Sequence, residues 1–135
     1  MRVLGVDFGF ARIGLATGDS DMGVFSPRPA LKASGALKKD AEAILVKARQ
    51  EEAEAVVVGL PLDEQGGGRM ARICGQLAEH LRSLGTTVYE VDEAMTSVSA
   101  HASMMEAGLK ASERRKRVDG EAAVRILERW ADAHR

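Results

Sequence analysis

Residues 5–19, GVDFGFARIGLATGD, contain two runs of β-prone residues separated by a short turn, with one aspartate near the end of the first run. This pattern predicts two antiparallel strands joined as a hairpin. Because side chains alternate along a strand, Gly5, Asp7 and Gly9 share one face, and Gly14 belongs to a similar row of small residues on the second strand. Such rows let a backbone, a helix or a ligand approach closely, so we interpret these glycines as close-approach positions.

Outward from the hairpin, the sequence predicts an edge strand and then an alternation of helices and strands. The edge strand contains two prolines, which cannot donate ladder hydrogen bonds. The continuous apolar run AVVVGL is typical of a central strand that is covered on both faces. A polar, basic segment at 109–117 is predicted to be a mobile connection. The predicted bounds are strand 26–32, helix 36–52, strand 55–60, helix 70–84 (ended by Gly85), strand 86–91, helix 96–106 and a last helix from residue 118.

This order, β-β-β-α-β-α-β-α with one further helical segment near the end, predicts an α/β fold. The first three strands form a meander, and the last two follow helices, so they join the sheet as parallel strands through right-handed crossovers. The economical arrangement is a mixed five-stranded sheet with helices on both faces. A length of 135 residues predicts a single domain, residues 1–135.

Composition narrows the class of protein. The chain has 45% hydrophobic and 29% charged residues, lacks an apolar run of the roughly 20 residues that span a bilayer, and lacks a signal sequence. Cys74 is the only cysteine, which excludes an intrachain disulfide and favours the cytoplasm. The net charge is −1, so nucleic acid could bind only at a local basic patch. The histidines have no metal-ligand spacing, so a metal would need oxygen ligands, which favours Mg²⁺ or Mn²⁺.

Three acidic sites occupy positions that a fold of this kind can bring together. Asp7 lies in the first strand, Asp92 and Glu93 end the fifth strand, and Asp119 opens the last helix. A buried carboxylate is costly unless it is paired or bound to a metal. Converging on one site, these residues could hold two divalent ions, which would activate water and stabilise the leaving oxygen in phosphodiester hydrolysis. We therefore identify all four as candidate catalytic residues; the alternatives are helix caps and loop carboxylates.

Basic residues form a second group of candidates. Arg12 follows Asp7 across the turn, and five more basic residues precede Asp119. They suit an anionic polymer held over a carboxylate cluster, although such a run is also typical of a solvated loop. The chain has few aromatic residues for base stacking, and Phe10 in the turn is the best candidate. The candidate nucleic-acid-binding residues are Arg12, Lys110, Arg114, Arg115, Lys116 and Arg117.

Four sequence blocks together resemble the YqgF (RuvX) family of RNase H-like nucleases. They are GVDFGFARIGLA at 5–16, VVVGLPL at 56–62, VDEAMTSVSA at 91–100 and RVDGEAAVRIL at 117–127, in the order and spacing of that family. The resemblance implies an RNase H-like fold and a nuclease that matures the 5′ end of pre-16S ribosomal RNA or resolves Holliday junctions. It also implies an acidic set of Asp7, the pair Asp92-Glu93 and Asp119; we take Asp7, Glu93 and Asp119 as the metal ligands, and whether Asp92 or Glu93 is the main ligand of the pair stays open.

One departure from the family pattern concerns the block that usually reads Asp-Glu-Arg-Leu-Thr-Thr. Ala94 replaces its arginine, which removes a side chain that could hold a phosphate. A non-catalytic RNA-binding factor in ribosome assembly therefore remains an alternative, whereas a kinase-like ATPase would need a second domain. A junction resolvase would act on branched DNA as a C₂ dimer, so the expected state is a monomer or a homodimer.

Overall fold

The computed structural model describes residues 1–61, 68–92 and 111–133, and in the last range it describes side chains from residue 120 onward. Within these ranges the chain forms five strands and three helices. The strands are β1 (Arg2–Phe8), β2 (Arg12–Asp19), β3 (Val24–Lys32), β4 (Ala55–Leu60) and β5 (Thr87–Asp92). The helices are α1 (Leu37–Gln50), α2 (Arg69–Ser83) and α3 (Ala111–Ala133). None of these three helices is long and apolar enough to cross a membrane.

The five strands form one mixed sheet in the order β3-β2-β1-β4-β5, with β1 in the middle. The pairs β1–β2 and β2–β3 are antiparallel, whereas β4 is parallel to both β1 and β5. The predicted meander and the two parallel strands are therefore confirmed. The two prolines of β3 lie on an edge strand, where only one side of the backbone must pair.

Helices α1 and α2 cover one face of the sheet, which we call the two-helix face. Alternate aliphatic side chains of β1, β2 and β4 point to this face and pack against the apolar stripes of both helices. Leu4, Ile44 and Leu77 are completely excluded from solvent. The buried set is Leu4, Val6, Phe8, Ile13, Leu15, Ala41, Ile44, Ala48, Val56, Val58, Cys74, Leu77, Ala78, Leu81 and Val88.

Helix α3 covers the opposite, one-helix face and crosses all five strands. Strand pairing aligns one residue from each strand in a register row, namely Pro27, Ala16, Gly5, Val57 and Tyr89. Gly120 of α3 lies against the β3 member of this row, and Leu127 lies against the β1 member. Trp130 contacts the β5 member, with ring centroids 5.2 Å apart. The helix therefore runs across the strands along a single row.

The bounds of several predicted elements change. The last helix begins at residue 111 rather than 118, so the prediction of a mobile connection is wrong for 111–117. These residues are good helix formers without glycine or proline, and their polarity indicated exposure rather than irregular backbone. Strand β3 begins two residues earlier than predicted. Gly85 follows α2 with φ +88°, as the predicted helix end requires. The predicted helix at 96–106 lies outside the described residues.

Candidate functional site

Asp7 is half-buried near the end of the central strand β1, on the one-helix face. It lies two residues beyond Gly5, and therefore one step past the register row that α3 covers. Its cross-strand neighbour on β2 is Gly14, which has no side chain to fill the space beside the carboxylate. Hard cations prefer oxygen ligands, so this half-buried carboxylate is a candidate metal ligand.

Gly5 and Gly9 serve the fold rather than an open site. A Cβ built on Gly5 would lie 2.6 Å from Leu127 Cγ and 2.9 Å from a backbone oxygen of α3. Close helix packing therefore explains Gly5, and the space next to it is not available to ions or a phosphate backbone. A Cβ on Gly9 would lie 2.8 Å from the carbonyl oxygen of Arg12, to which the Gly9 N–H also donates a hydrogen bond at 3.0 Å. Gly9 closes the hairpin turn.

Asp92 ends β5 on the face opposite to Asp7. Glu90, two residues earlier, forms an ion pair at 3.0 Å with Arg82 of α2, which places this set of alternate residues on the two-helix face. Asp92 is exposed, and its backbone oxygen accepts a hydrogen bond from Arg129 of α3. The structure therefore does not bring Asp92 onto the face of Asp7.

The structure describes the other two acidic candidates, Glu93 and Asp119, only in part. Glu93 lies outside the described residues. Asp119 belongs to α3, one residue before the contact of Gly120 with the edge strand, and its side chain is not described. The residues that follow Asp119 on the predicted apolar stripe of the helix, Ala122, Ala123 and Ile126, are completely buried.

Of the basic candidates, the structure describes Arg12 completely and residues 114–117 by their backbone alone. Arg12 is exposed at the start of β2, directly after the hairpin turn. The backbone of residues 114–117 is helical and precedes the point at which α3 meets the edge strand, but the side chains there are not described. Lys110 lies outside the described ranges. Among the described residues, no three His, Cys, Asp or Glu side chains form a metal-binding cluster.

A pocket of about 170 Å³ lies on the two-helix face at the same end of β1. Its walls are mainly apolar: Phe8, Phe10, Ala33, Gly35, Leu37 and Ile73, together with the carboxylate of Asp40. Phe10 remains 64% exposed, and the Arg69 guanidinium carbon lies 5.9 Å from the centre of its ring. The sequence analysis identified Phe10 but missed Asp40, which reads locally as an acidic residue favoured near a helix N-terminus.

The opposite end of the sheet holds carboxylates in ordinary ion pairs. Asp19 accepts hydrogen bonds from the Asp21 backbone N–H at 2.8 Å and from the Met1 ammonium group at 3.2 Å. These interactions, the backbone one first, lower the pKa of Asp19 below its usual value, and hydrogen bonds to Asp21 and Asp19 raise the pKa of the Met1 ammonium group. Arg28 pairs with Glu51 at 2.8 Å. Charges at this end are therefore satisfied within the fold.

The sequence is similar to one known protein family over nearly its whole length. The sequence profile described as "RuvX: Holliday junction resolvase" matches residues 1–133. A protein of Anaeromyxobacter sp. (strain Fw109-5) is 39% identical over 134 residues, covering 98% of this chain and 97% of its own, and one of Mycobacterium bovis (strain BCG / Pasteur 1173P2) is 40% identical, covering 97% and 78%. Both are named "Putative pre-16S rRNA nuclease".

Among solved structures, RuvC of T. thermophilus in complex with a Holliday junction substrate superposes with a TM-score of 0.56 at 21% identity, covering 99% of this chain and 95% of its own. A second T. thermophilus RuvC structure gives a TM-score of 0.53 at 20% identity, covering 99% and 96%. At this level of identity the similarity establishes a shared RNase H-like fold and no more, in agreement with the fold implied by the sequence resemblance.

Proposed function

Because the chain belongs to the RuvX family, we propose that it is a metal-dependent nuclease that hydrolyses phosphodiester bonds and that its substrate is the precursor of 16S ribosomal RNA. The observation that carries the proposal is the position of Asp7, half-buried near the end of the central strand and opposite a glycine. The names of relatives at 39% and 40% identity support the choice of substrate.

Asp7, Glu93 and Asp119 are the proposed metal ligands. The described part of the site fits a divalent ion in its donor chemistry, because Asp7 supplies a carboxylate oxygen, the ligand type that such ions prefer. Asp92 belongs to the two-helix face, so of the acidic pair we assign the ligand role to Glu93. A bound Mg²⁺ or Mn²⁺ would polarise the scissile phosphate and lower the pKa of an attacking water.

The chain's own residues would position the nucleic acid. Arg12 is exposed directly after the turn that follows Asp7, so its guanidinium can reach a phosphate bound at that end of the sheet. We propose that Lys110, Arg114, Arg115, Lys116 and Arg117 add positive charge for the same polyanion. A chain with net charge −1 needs such a local patch to hold a polyanion.

Junction resolution is the second candidate, and the description of the matching family favours it. Resolving a four-way junction requires two symmetric cuts, so this activity would call for a C₂ homodimer. RNA maturation makes no such demand and is compatible with a monomer. The oligomeric state in solution therefore helps to separate the two candidates.

The test is a cleavage assay with a 5′-extended 16S ribosomal RNA precursor and a mobile four-way DNA junction, each with Mg²⁺ or Mn²⁺ and with chelator. Mutation of a residue that only hydrogen-bonds to a metal ligand typically lowers metal affinity or activity by about 10–100-fold. Asp7→Asn changes a proposed ligand itself, so it is expected to lower the cleavage rate by at least about 100-fold. Asp21→Asn is the matched control, because it makes the same chemical change at the exposed opposite end of the sheet.

Three results would contradict the proposal. Cleavage that persists in chelator would exclude the metal-dependent mechanism, and equal rates for Asp7→Asn and wild type would exclude the site. Binding of RNA without cleavage under any metal condition would favour the alternative of a non-catalytic assembly factor. Metal-dependent cutting of the junction alone would replace RNA maturation by junction resolution.

A further inference from the structure

We propose that the pocket beside Phe10 binds one unpaired nucleobase, with a preference for bases that carry an exocyclic amino group. The inference rests on the proposed nuclease function, because it assigns this pocket to a nucleotide next to the one held at Asp7. The pocket would give a structure-selective enzyme a preference at a single position of its substrate.

The size and lining of the pocket suit one flat ring system. Its volume of about 170 Å³ is below the roughly 300–1,000 Å³ of sites that enclose a complete drug-sized ligand. Phe8 and Phe10 provide aromatic walls, and Leu37 and Ile73 provide aliphatic ones. A base that has left its helical stack regains stacking energy on such walls, whatever its identity.

Asp40 provides the polar contact that distinguishes one base from another. Asp40 is only 3% exposed to solvent, and its Oδ1 accepts a hydrogen bond from the Ser34 backbone N–H at 2.9 Å. Within the described residues, Oδ2 accepts no hydrogen bond, although Asp40 lines the pocket. Oδ2 is not among the buried side-chain oxygens without a partner, so it keeps access to the pocket and can accept a hydrogen bond from a ligand amino group.

The same carboxylate discriminates against uracil. Cytosine N4 and adenine N6 are amino groups on base edges, and carboxylates are known to accept from cytosine N4. The N–H on the pairing edge of uracil lies between two carbonyl oxygens, and the negative charge of Asp40 repels both. Cytosine and adenine are therefore favoured over uracil at this position.

Arg69 completes the surface around the pocket. Its guanidinium carbon lies 5.9 Å from the centre of the Phe10 ring, within the range of a cation–π contact. An arginine held in this way can also meet the phosphate of a nucleotide whose base enters the pocket. The contact thus holds the positive charge of Arg69 next to Phe10, the aromatic wall of the pocket.

The pocket and the proposed metal site lie back to back at the end of β1. Phe8 follows Asp7 directly, so their Cα atoms are about 3.8 Å apart while their side chains point to opposite faces of the sheet. A single strand that crosses this end of the sheet can place a phosphate near Asp7 and a neighbouring base in the pocket. A fully paired duplex could not do so without extruding that base.

The experiment measures binding in chelator, where no cleavage is expected, using fluorescently labelled tetramers of cytidine, adenosine and uridine. A charge-assisted hydrogen bond predicts that wild type binds the cytidine tetramer about tenfold more tightly than the uridine tetramer. Deoxy tetramers of cytosine and uracil form a second arm, which separates RNA from single-stranded DNA as the source of the base. A cytosine preference in either series supports the pocket; its absence in both overturns it.

Two substitutions test the assigned roles. Asp40→Asn retains an acceptor for the Ser34 N–H but turns the second oxygen into a donor, so the cytidine preference should vanish or reverse toward uridine. Phe10→Ala should weaken binding of every tetramer by about fivefold or more through lost stacking. Because Phe10 is 64% exposed, this variant tests the pocket even if Asp40→Asn fails to fold. Met22→Ala, at another exposed apolar residue of the chain, is the matched control.

Unchanged binding in Phe10→Ala, or an unchanged cytidine preference in folded Asp40→Asn, would overturn the pocket. Metal-dependent cleavage that Asp7→Asn abolishes would still stand in that case, so the proposed function would survive. Conversely, a base preference that depends on Asp40 in a protein that never cleaves nucleic acid would support the pocket and overturn only the nuclease.

Discussion

The two faces of the sheet are packed in opposite ways. On the two-helix face, large aliphatic side chains such as Leu4, Ile44 and Leu77 fill the space between the strands and two helices. On the one-helix face, α3 approaches the central strand so closely that Gly5 has no room for a Cβ. The first face is therefore vulnerable to the removal of atoms, and the second to their addition.

The difference also explains where the candidate site lies. Two helices cover their face broadly, whereas one helix that follows a single register row covers only that row and its neighbours. Asp7 occupies the next position of β1 on the one-helix face after Gly5. The close approach of α3 at Gly5 and the half-buried position of Asp7 beyond it are thus two results of the same crossing geometry.

The largest effect is expected from Leu77→Ala on the two-helix face. Leu77 is completely buried, so its truncation loses transfer energy and leaves a cavity, which should lower the free energy of unfolding by about 2–5 kcal/mol. Urea denaturation measures this change. A loss below about 1 kcal/mol would show that this face can collapse around the gap and would remove the contrast between the faces.

The one-helix face is tested by adding a single methyl group. Gly5→Ala places a carbon within 3 Å of Leu127 and of the backbone of α3, and overpacking of this kind should cost about 1–3 kcal/mol. Gly75→Ala is the matched control in α2, where a new Cβ meets nothing within 4 Å. The control should raise the free energy of unfolding by about 0.5–1 kcal/mol, because alanine has a higher helix propensity than glycine. Equal effects of the two changes in urea denaturation would refute the close approach of α3.

A smaller effect is expected where α3 reaches β5. The rings of Tyr89 and Trp130 are 5.2 Å apart and inclined by 41°, a geometry whose aromatic interaction is worth about 0.5–1.5 kcal/mol. A double-mutant cycle with Tyr89→Leu and Trp130→Leu should recover a coupling energy of that size. Strict additivity of the two changes would mean that the rings contribute only through buried area.

The smallest effect is expected from Asp19→Asn, which changes neither face. Because the pKa of Asp19 is lowered in the folded protein, its contribution is present above the unfolded value near 3.9 and is lost as the pH falls through the folded value. The variant should melt slightly below wild type at pH 6, and the difference should shrink as the pH falls below the unfolded value. A difference that does not shrink on acidification would assign the effect to something other than this charge.

Much of the architecture could be predicted from local patterns. The hairpin at 5–19, the proline-marked edge strand and the apolar run at 55–60 each carry a signal within a few residues, and the order of the strands follows from their connections. Local patterns could not predict which group approaches each of the glycines of the hairpin, such as Gly5. Whether Gly5 faces a helix or a ligand depends on α3, which is far away in the sequence.

The candidate site was predictable only in part. The strand position of Asp7 indicated a functional carboxylate, and alternation along β5 could have separated Asp92 from it once the strand bounds were known. The pocket at Asp40 had no local signal, because its walls come from β1, the hairpin turn, α1 and α2. The polar, basic composition of 111–117 predicts a loop, whereas its backbone is helical, because such residues form exposed helix as readily.

The crossing of α3 also has a consequence for biosynthesis. The helix that covers the one-helix face is made after all five strands, and Gly5 lies more than 100 residues before its contact Leu127, which gives this contact a high contact order. At usual rates of synthesis, on the order of ten seconds pass between the synthesis of Gly5 and that of the helix that packs on it. During translation, one side of this sheet therefore stays without its native cover until α3 has been made.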